Sequence, residues 1–363
     1  MFRNENELNL FKQLYPRWDG MSRRGKLRIL SESLRKRNVV NSTDYMGSAQ
    51  DTSRGPSMSL WGNCPVLDFI EDPGKGSYFF DDFVMAGNLA NTNAIGNMGQ
   101  WATWADTSTV LGTDPMQDDG VILLSDAANI TKNVTLGTQA GSARMVSAAT
   151  NNPLHPGRIW FEARVAVGSI TTACKDAFVG LCDNTNFTTA TATKVINTAN
   201  ILATTNGLFG FHFRSTTNPT DVGLAYNVAG GTVQYPTNLQ TLSNTVLGAA
   251  LTAYTAGATG ALATGFIKLG FLYDPTAGNP AQAAPATVTI GGVALTAGTL
   301  YKPIVKIFVN GLVAATFLAP STLQTTTFPT GWMGPVISYT SRSATVAGGF
   351  YVDWIRVARS AIG

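Results

Sequence analysis

The sequence is short of charge, histidine and cysteine, and each shortage excludes a class of protein. Charged residues make up 13% of the 363 residues, about half of the roughly 25% usual in soluble domains. Two histidines and three cysteines exclude a histidine-rich metal site and a dense disulfide framework. No apolar run approaches the about 18 residues of a membrane-spanning helix, so we expect no membrane partner and a largely neutral surface.

The few charges are unevenly distributed. Residues 1–60 hold 11 Lys and Arg against 6 Asp and Glu, whereas the remaining residues hold 14 against 16. No signal-peptide pattern opens the chain, and the cysteines lack C-x-x-C spacing, so we expect free thiols and synthesis in a reducing cytoplasm. The amino-terminal part is therefore predicted to be a basic segment attached to a nearly neutral body.

The sequence changes character between residues 41 and 80. Before that point, leucines recur at helical spacing and Pro16, Gly20 and Gly25 interrupt the pattern, which predicts short helices joined by turns. Residues 41–77 are rich in Ser, Gly, Asn and Pro, which favours an extended linker. We therefore predict a basic amino-terminal arm over 1–78 and a second domain over 79–363.

From Phe79 onward the pattern is that of β-strands. Residues 158–167 alternate, with Ile159, Phe161, Ala163, Val165 and Val167 on one face, as in a half-buried antiparallel strand. Comparable runs cover 177–182, 208–213, 266–273, 304–309, 313–318, 336–339 and 350–357. No helical pattern of 10 to 15 residues alternates with them. We predict an all-β, antiparallel two-sheet sandwich.

Asn310-Gly311 provides the clearest turn signal, because this pair tolerates the positive φ angles of a two-residue type I′ hairpin. Two long stretches, 222–267 and 275–301, contain no charged residue and are predicted to be loops or weak edge strands. A neutral exposed surface of this size would be poorly soluble on a free monomer. We therefore expect neighbouring subunits to cover it.

Three strands of this domain resemble the concanavalin A-like lectin/glucanase jelly rolls. The segments are Trp160-Phe161-Glu162-Ala163-Arg164-Val165, Lys306-Ile307-Phe308-Val309-Asn310-Gly311 and the closing Phe350–Val357 run. The resemblance covers roughly residues 79–360 and implies a jelly-roll sandwich. Its hydrolase branch carries two glutamates on one strand, but Glu162 is the sole glutamate after Glu71. We therefore expect no enzyme, no catalytic residues, no metal and no cofactor.

The neutral Gly/Thr/Ala-rich sandwich with its basic arm also resembles structural proteins of tailed bacteriophages, in particular capsid decoration (cement) proteins. This resemblance implies location in the virion, with the major capsid protein or other virion subunits as partners. It also implies a homo-oligomer, with a trimer common among jelly-roll virion proteins.

The basic segment carries the predicted anchoring site. The embedded leucines favour docking on a partner subunit, since a segment that binds only a polyanion needs no apolar face; binding to nucleic acid is the less favoured alternative. The polar anchors are Arg23, Arg24, Lys26, Arg28, Arg35, Lys36 and Arg37, and the apolar anchors are Leu27, Leu30 and Leu34.

A second hypothesis is a lectin-like module of a tail or fibre protein that recognises host glycans. Aromatic rings can stack on sugar rings, and Trp101 and Trp104 lie close together in sequence. We take these two tryptophans as the candidate glycan-binding residues of that alternative. Their burial in the core is the competing expectation for large aromatic side chains.

Overall fold

The computed structural model describes twenty separate ranges of the chain. They are 54–83, 95–98, 101–105, 109–113, 121–126, 133–138, 143–144, 157–168, 176–183, 195–196, 202, 206–214, 222–236, 265–274, 288–290, 293–295, 304–318, 329, 331–340 and 348–361. The chain divides into two compact units, Met1–Ala49 and Gln50–Gly363, and all described residues belong to the second.

Most of the described residues form two antiparallel sheets. Sheet A has the strand order β16-β15-β12-β8-β18-β5-β4, and β1 also pairs with β18. Its strands are β1 (Gly76–Asp81), β4 (Thr109–Thr113), β5 (Ile122–Asp126), β8 (Ile159–Val167), β12 (Ile267–Asp274), β15 (Ile304–Val309), β16 (Leu312–Leu318) and β18 (Gly348–Ser360).

Sheet B has the order β11-β10-β9-β17-β6-β3-β2, and β7 also pairs with β17. Its strands are β2 (Ile95–Met98), β3 (Trp101–Ala105), β6 (Asn133–Thr138), β7 (Ala143–Arg144), β9 (Asp176–Asp183), β10 (Leu208–Arg214), β11 (Val222–Asn227) and β17 (Trp332–Thr340). A separate hairpin joins β13 (Val288–Ile290) to β14 (Val293–Leu295). The predicted all-β, antiparallel two-sheet sandwich is confirmed.

The core lies between the inner faces of the two sheets. Phe161 and Phe271 of sheet A stack with ring centroids 4.9 Å apart, and Phe209 of sheet B packs edge-on against Phe271, also at 4.9 Å. The alternating residues of β8 that we predicted to share a face are all buried in this core. The alternation of apolar residues therefore identified the inner face correctly.

The Asn310-Gly311 hairpin is also as predicted. Val309 pairs with Leu312, which leaves two residues in the turn, and both turn residues have positive φ, 47° and 76°. This is the backbone that a two-residue hairpin with the right-handed strand twist requires. The turn holds β15 and β16 in register at one edge of sheet A.

One irregularity in β18 determines which residues point away from the core. Val352 pairs with Val165 and Trp354 pairs with Arg164, so Asp353 is an extra residue in a β-bulge. Because of this extra residue, Val352 and Ile355 both remain in the core, although the two positions are an odd number apart. Asp353 and Trp354 consequently both contact Arg54, on the outer face of sheet A.

Residues 54–77 are not the extended linker that their composition predicts. Two short helices, α1 (Met58–Trp61) and α2 (Val66–Glu71), lie in this range, and their apolar side chains pack on sheet A. Strands β2 to β7 were also not predicted, and β11 is a fully buried edge strand inside the uncharged stretch 222–267. Neither described helix is long and apolar enough to cross a membrane.

Candidate functional site

The outer face of sheet A carries an ion-pair cluster formed by Arg54, Arg164 and Asp353, which we call the clamp. Arg54 Nη2 lies 2.5 Å from Asp353 Oδ1, and its Nε donates to the same carboxylate at 3.0 and 3.1 Å. Arg164 Nη1 lies 2.5 Å from Asp353 Oδ2. The indole of Trp354 donates to the backbone carbonyl of Arg54 at 2.6 Å. The clamp thus ties the first described residue of the chain to a strand position 299 residues later.

A second charged residue, Glu162, lies beneath α1. Its Oε2 accepts hydrogen bonds from the backbone N–H of Ser57 at 3.0 Å and from the Trp61 indole at 2.8 Å. Lys268, which pairs with Arg164 across the strands, donates from Nζ to the carbonyl of Gly55 at 3.0 Å. Complete burial raises the pKa of the Glu162 carboxyl, while Ser57, Lys268 and Trp61 partly offset that rise.

Apolar contacts cover the part of this charged layer that lies under α1 and α2. Leu60, Trp61 and Phe69 pack on Trp160, Phe308 and Ala358. The Arg356 guanidinium lies 4.5 Å from the Trp61 ring centroid, a cation–π geometry, and its Nε donates to the Tyr78 hydroxyl at 2.8 Å. The nearby Cys64 thiol has its pKa raised by burial to about 12. Residues 54–71 are therefore an integral cover of sheet A.

The same cover exposes apolar side chains to solvent. Leu67 and Ile70 of α2 are 73% and 59% exposed, and Met58 and Phe80 are also exposed. Val313 is exposed beside them, since it pairs with Phe308, which packs under α1. Large exposed apolar side chains grouped on one face are a feature of protein-binding surfaces. Of the six in the described part of the chain, five lie on or next to this cover.

The outer face of sheet B holds a buried polar group centred on His212. Its Nδ1 hydrogen-bonds the Tyr235 hydroxyl at 2.8 Å, and its Nε2 bonds the Asp176 carboxylate. Arg214 lies 4.5 Å from the Tyr235 ring centroid, and burial raises the pKa of Tyr235. These contacts attach residues 228–236 to the sheet. Because His212 is fully enclosed, this group holds the fold together and offers no accessible base.

An exposed tryptophan lies at the start of β17. Trp332 is 45% exposed, and the Arg359 guanidinium lies 4.9 Å from its ring centroid. The Asp183 carboxylate lies against the preceding Gly331, where a side-chain carbon would come within 2.8 Å of Asp183 Oδ2. An aromatic ring, a carboxylate and a glycine backbone therefore meet at one end of sheet B.

The structure places the predicted site residues as follows. All ten predicted anchoring residues lie outside the described residues. They are Arg23, Arg24, Lys26, Leu27, Arg28, Leu30, Leu34, Arg35, Lys36 and Arg37. Trp101 is 1% exposed, and its indole donates to Asp81 at 2.5 Å within the core, so its ring offers no face to a sugar. The side chain of Trp104 lies outside the described part.

Sequence reasoning missed the clamp and Glu162. A signal was present, because Glu162, Arg164, Lys268 and Asp353 interrupt the most apolar strands of a domain that has few charges. Within the described ranges, no group of three His, Cys, Asp or Glu side chains could hold a metal ion.

No protein-family model matches the chain, and no curated protein matches it in sequence. Similar solved structures include an endo-1,3-beta-glucanase from Streptomyces sioyaensis, at 11% identity and a TM-score of 0.39 over 79% of this chain and 97% of that one.

Two further similar structures come from different groups of proteins. The basic winged bean lectin with Tn-antigen is 10% identical, with a TM-score of 0.37 over 79% of this chain and 99% of its own. The Bacteroides ovatus mixed linkage glucan GH16 protein in complex with its product is also 10% identical, with a TM-score of 0.39 over 77% and 99%. These proteins are of the lectin and glucanase class that the sequence resembles. Similarity at this level assigns neither a ligand nor a reaction.

Proposed function

We propose that this chain is a non-enzymatic structural protein that attaches to neighbouring subunits of a larger assembly, which we expect to be a bacteriophage virion. The observation that carries the proposal is the exposed apolar group on α1, α2 and β1, next to the point where the chain enters the sandwich. In this proposal, the sandwich and its cover are the rigid body, and the attachment element is the most basic part of the predicted arm, residues 1–40, which we call the basic arm from here on.

The clamp supports these separate roles of the sandwich and the arm. An arm that holds a partner transmits load to its own body through the residues at its base. Arg54 is held there by a bidentate ion pair to Asp353 and by a hydrogen bond from Trp354, and charge-assisted bidentate pairs are the stronger class of hydrogen bond. The base of the arm is thus fastened to the central part of sheet A.

The surroundings of Glu162 support the absence of glycosidase chemistry. A catalytic acid or nucleophile must reach the scissile bond, whereas Glu162 is completely buried and its Oε2 is occupied by Ser57 and Trp61. No other glutamate follows Glu71 in the sequence. The carboxylate pair of a retaining or inverting glycosidase would therefore have to be built without a second glutamate.

Deleting residues 1–40 tests the proposal. Because the deletion ends before the clamp, we expect the truncated chain to keep the thermal unfolding midpoint of the intact sandwich but to lose at least nine-tenths of its incorporation into particles. Incorporation is measured by quantitative mass spectrometry of purified particles. The matched control exchanges Lys and Arg within residues 23–37, which keeps the charge, and should incorporate normally. Full incorporation of the truncated chain would refute the proposal.

Glycan binding is a second candidate, and Trp332 is the observation that favours it. Its ring is 45% exposed, and the preceding Gly331 lies against the Asp183 carboxylate. This end of sheet B therefore offers an aromatic surface for stacking and, one backbone position away, a carboxylate for hydrogen bonding to a sugar. We expect Trp332→Ala to reduce binding on a glycan array at least tenfold. Phe80→Ala is the matched control, because Phe80 is similarly exposed near an arginine, Arg356. An array without signal for the unaltered chain would exclude this candidate.

A further inference from the structure

The exposed surface of α2 combines apolar and acidic side chains. Leu67 and Ile70 are three positions apart, and Glu71 is four positions from Leu67, so the three share one side of the helix. Phe69 points the other way and is buried against Trp160. Asp72 follows directly and is exposed. We call Leu67, Ile70, Glu71 and Asp72 the α2 surface.

The wider segment around the α2 surface has the same charge sign. Residues 54–83 contain five acidic residues and two basic ones. One of the basic residues, Arg54, is committed to Asp353 in the clamp. An exposed apolar pair bordered by carboxylates is suited to a partner that brings apolar side chains together with positive charge.

The chain itself contains a segment of that chemistry. Residues 1–40 hold ten basic residues and four acidic ones, and Leu27, Leu30 and Leu34 recur at helical spacing among the basic residues. The leucines of this segment can pack on Leu67 and Ile70, and its arginines can pair with Glu71 and Asp72. A polyanion would satisfy only the basic half of the arm and would be repelled by the α2 surface.

We propose that the α2 surface binds the basic arm of a neighbouring copy of this chain. This inference rests on the proposed function and names the partner for one attachment. Residues 41–53 separate the arm from the clamp along the chain, and thirteen residues can span at most about 45 Å, which sets the largest distance at which the partner's arm can be held. Such a contact joins different patches, so it produces a closed dimer where two copies exchange arms and a ring or an extended array where the exchange is not reciprocal.

The test uses the full-length chain and measures self-association by analytical ultracentrifugation over a range of concentrations. We expect concentration-dependent association that weakens with salt, and we expect Leu67→Ser with Ile70→Ser to raise the dissociation constant at least tenfold. Thr316→Ala is the control, because Thr316 is exposed on β16 of the same sheet but belongs neither to the α2 surface nor to the group of exposed apolar side chains. Its dissociation constant should be unchanged.

Exchanging the charges of the arm and the α2 surface tests whether the arm is the segment that binds this surface. Glu71→Lys with Asp72→Lys should abolish association, as should Arg35→Glu with Arg37→Glu, and a chain carrying all four changes should regain it. An equimolar mixture of the two double variants should also associate, since the arm of each variant is opposite in charge to the α2 surface of the other. Association unaffected by the Glu71 and Asp72 changes, or absent at all concentrations, would overturn the inference.

The outcome also separates this inference from the proposed function. If α2-surface variants enter particles normally while deletion of residues 1–40 prevents entry, the arm binds another subunit and only the inference fails. If the deletion has no effect on entry into particles, the proposed function itself fails.

Discussion

Replacing Asp353 by alanine is expected to lower the free energy of unfolding by about 3 to 5 kcal/mol. The carboxylate is buried and holds both Arg164 and Arg54. Its removal leaves the Arg164 guanidinium, which is itself buried, without its closest counter-charge. Loss of one partner from a buried pair is costly because the remaining charge cannot recover its hydration. Urea unfolding followed by tryptophan fluorescence and circular dichroism gives the measurement.

The matched control for this prediction is Asp274→Ala. Asp274 also forms an ion pair with an arginine, Arg158, at 2.8 Å, but the Arg158 side chain is 51% exposed. Exposed pairs contribute about 0 to 1 kcal/mol, so this variant should lose little stability. Equal losses of unfolding free energy in the two variants would show that burial does not increase the contribution of the clamp to stability. Asp353→Ala should also make the bond after Arg54 more susceptible to trypsin, because the clamp no longer holds that residue.

The inner face of the sandwich could be predicted because its residues follow the period of a strand. Ile159, Phe161 and Ala163 alternate as expected and lie in the core. The turn at Asn310-Gly311 was equally readable, since few residue pairs adopt two successive positive φ angles. Local patterns of this kind depend on backbone geometry within ten residues, so the sequence alone contains them.

The outer face could not be predicted in the same way. Glu162 and Arg164 occupy the alternate positions of β8, and polar residues at such positions normally indicate contact with water. Here residues about a hundred positions earlier cover them. The covering helices have four and six residues, too few to display a helical period. The bulge at Asp353 then shifts the alternation of inward and outward residues in β18 by one position. No local sequence pattern predicts this bulge.

Trp101 illustrates the same limit at the candidate glycan site. Its neighbours Ala102 and Thr103 are small and do not define an inner or outer face for β3. The face is set by contacts with Phe79, whose ring centroid lies 5.4 Å away, and with Phe83 at 5.7 Å. Both partners come from the segment around β1, so the burial of Trp101 depends on tertiary packing.

Replacing Glu162 by glutamine is expected to change how stability depends on pH. Burial raises the pKa of this carboxyl in the folded state above its ordinary value, so its contribution is fully present below the unfolded-state pKa of about 4.3. That contribution is lost as pH rises through the folded-state pKa, at about 1.4 kcal/mol for each pH unit between the two values. Glutamine cannot ionise, so the variant should lack this loss.

Thermal unfolding midpoints of the two proteins, measured from pH 4 to pH 8, check this expectation. The midpoints should lie close together at pH 4, and the Glu162→Gln protein should gain relative to the unaltered protein as the pH rises. A parallel pH dependence of the two proteins would contradict the prediction. It would mean that the folded and unfolded states bind the Glu162 proton equally well.

Glu162→Ala separates the charge of this side chain from its hydrogen bonds. The amide oxygen of glutamine can still accept from Ser57 N–H and from the Trp61 indole, whereas alanine leaves both buried donors without their acceptor. Each unsatisfied donor costs about 1 to 3 kcal/mol, so the alanine protein should be the least stable of the three at every pH. Since those two donors belong to the cover of sheet A, hydrogen exchange should rise first in residues 57–61. If exchange there stays unchanged, the cover is held by Leu60, Phe69 and the clamp, and Glu162 is dispensable for it.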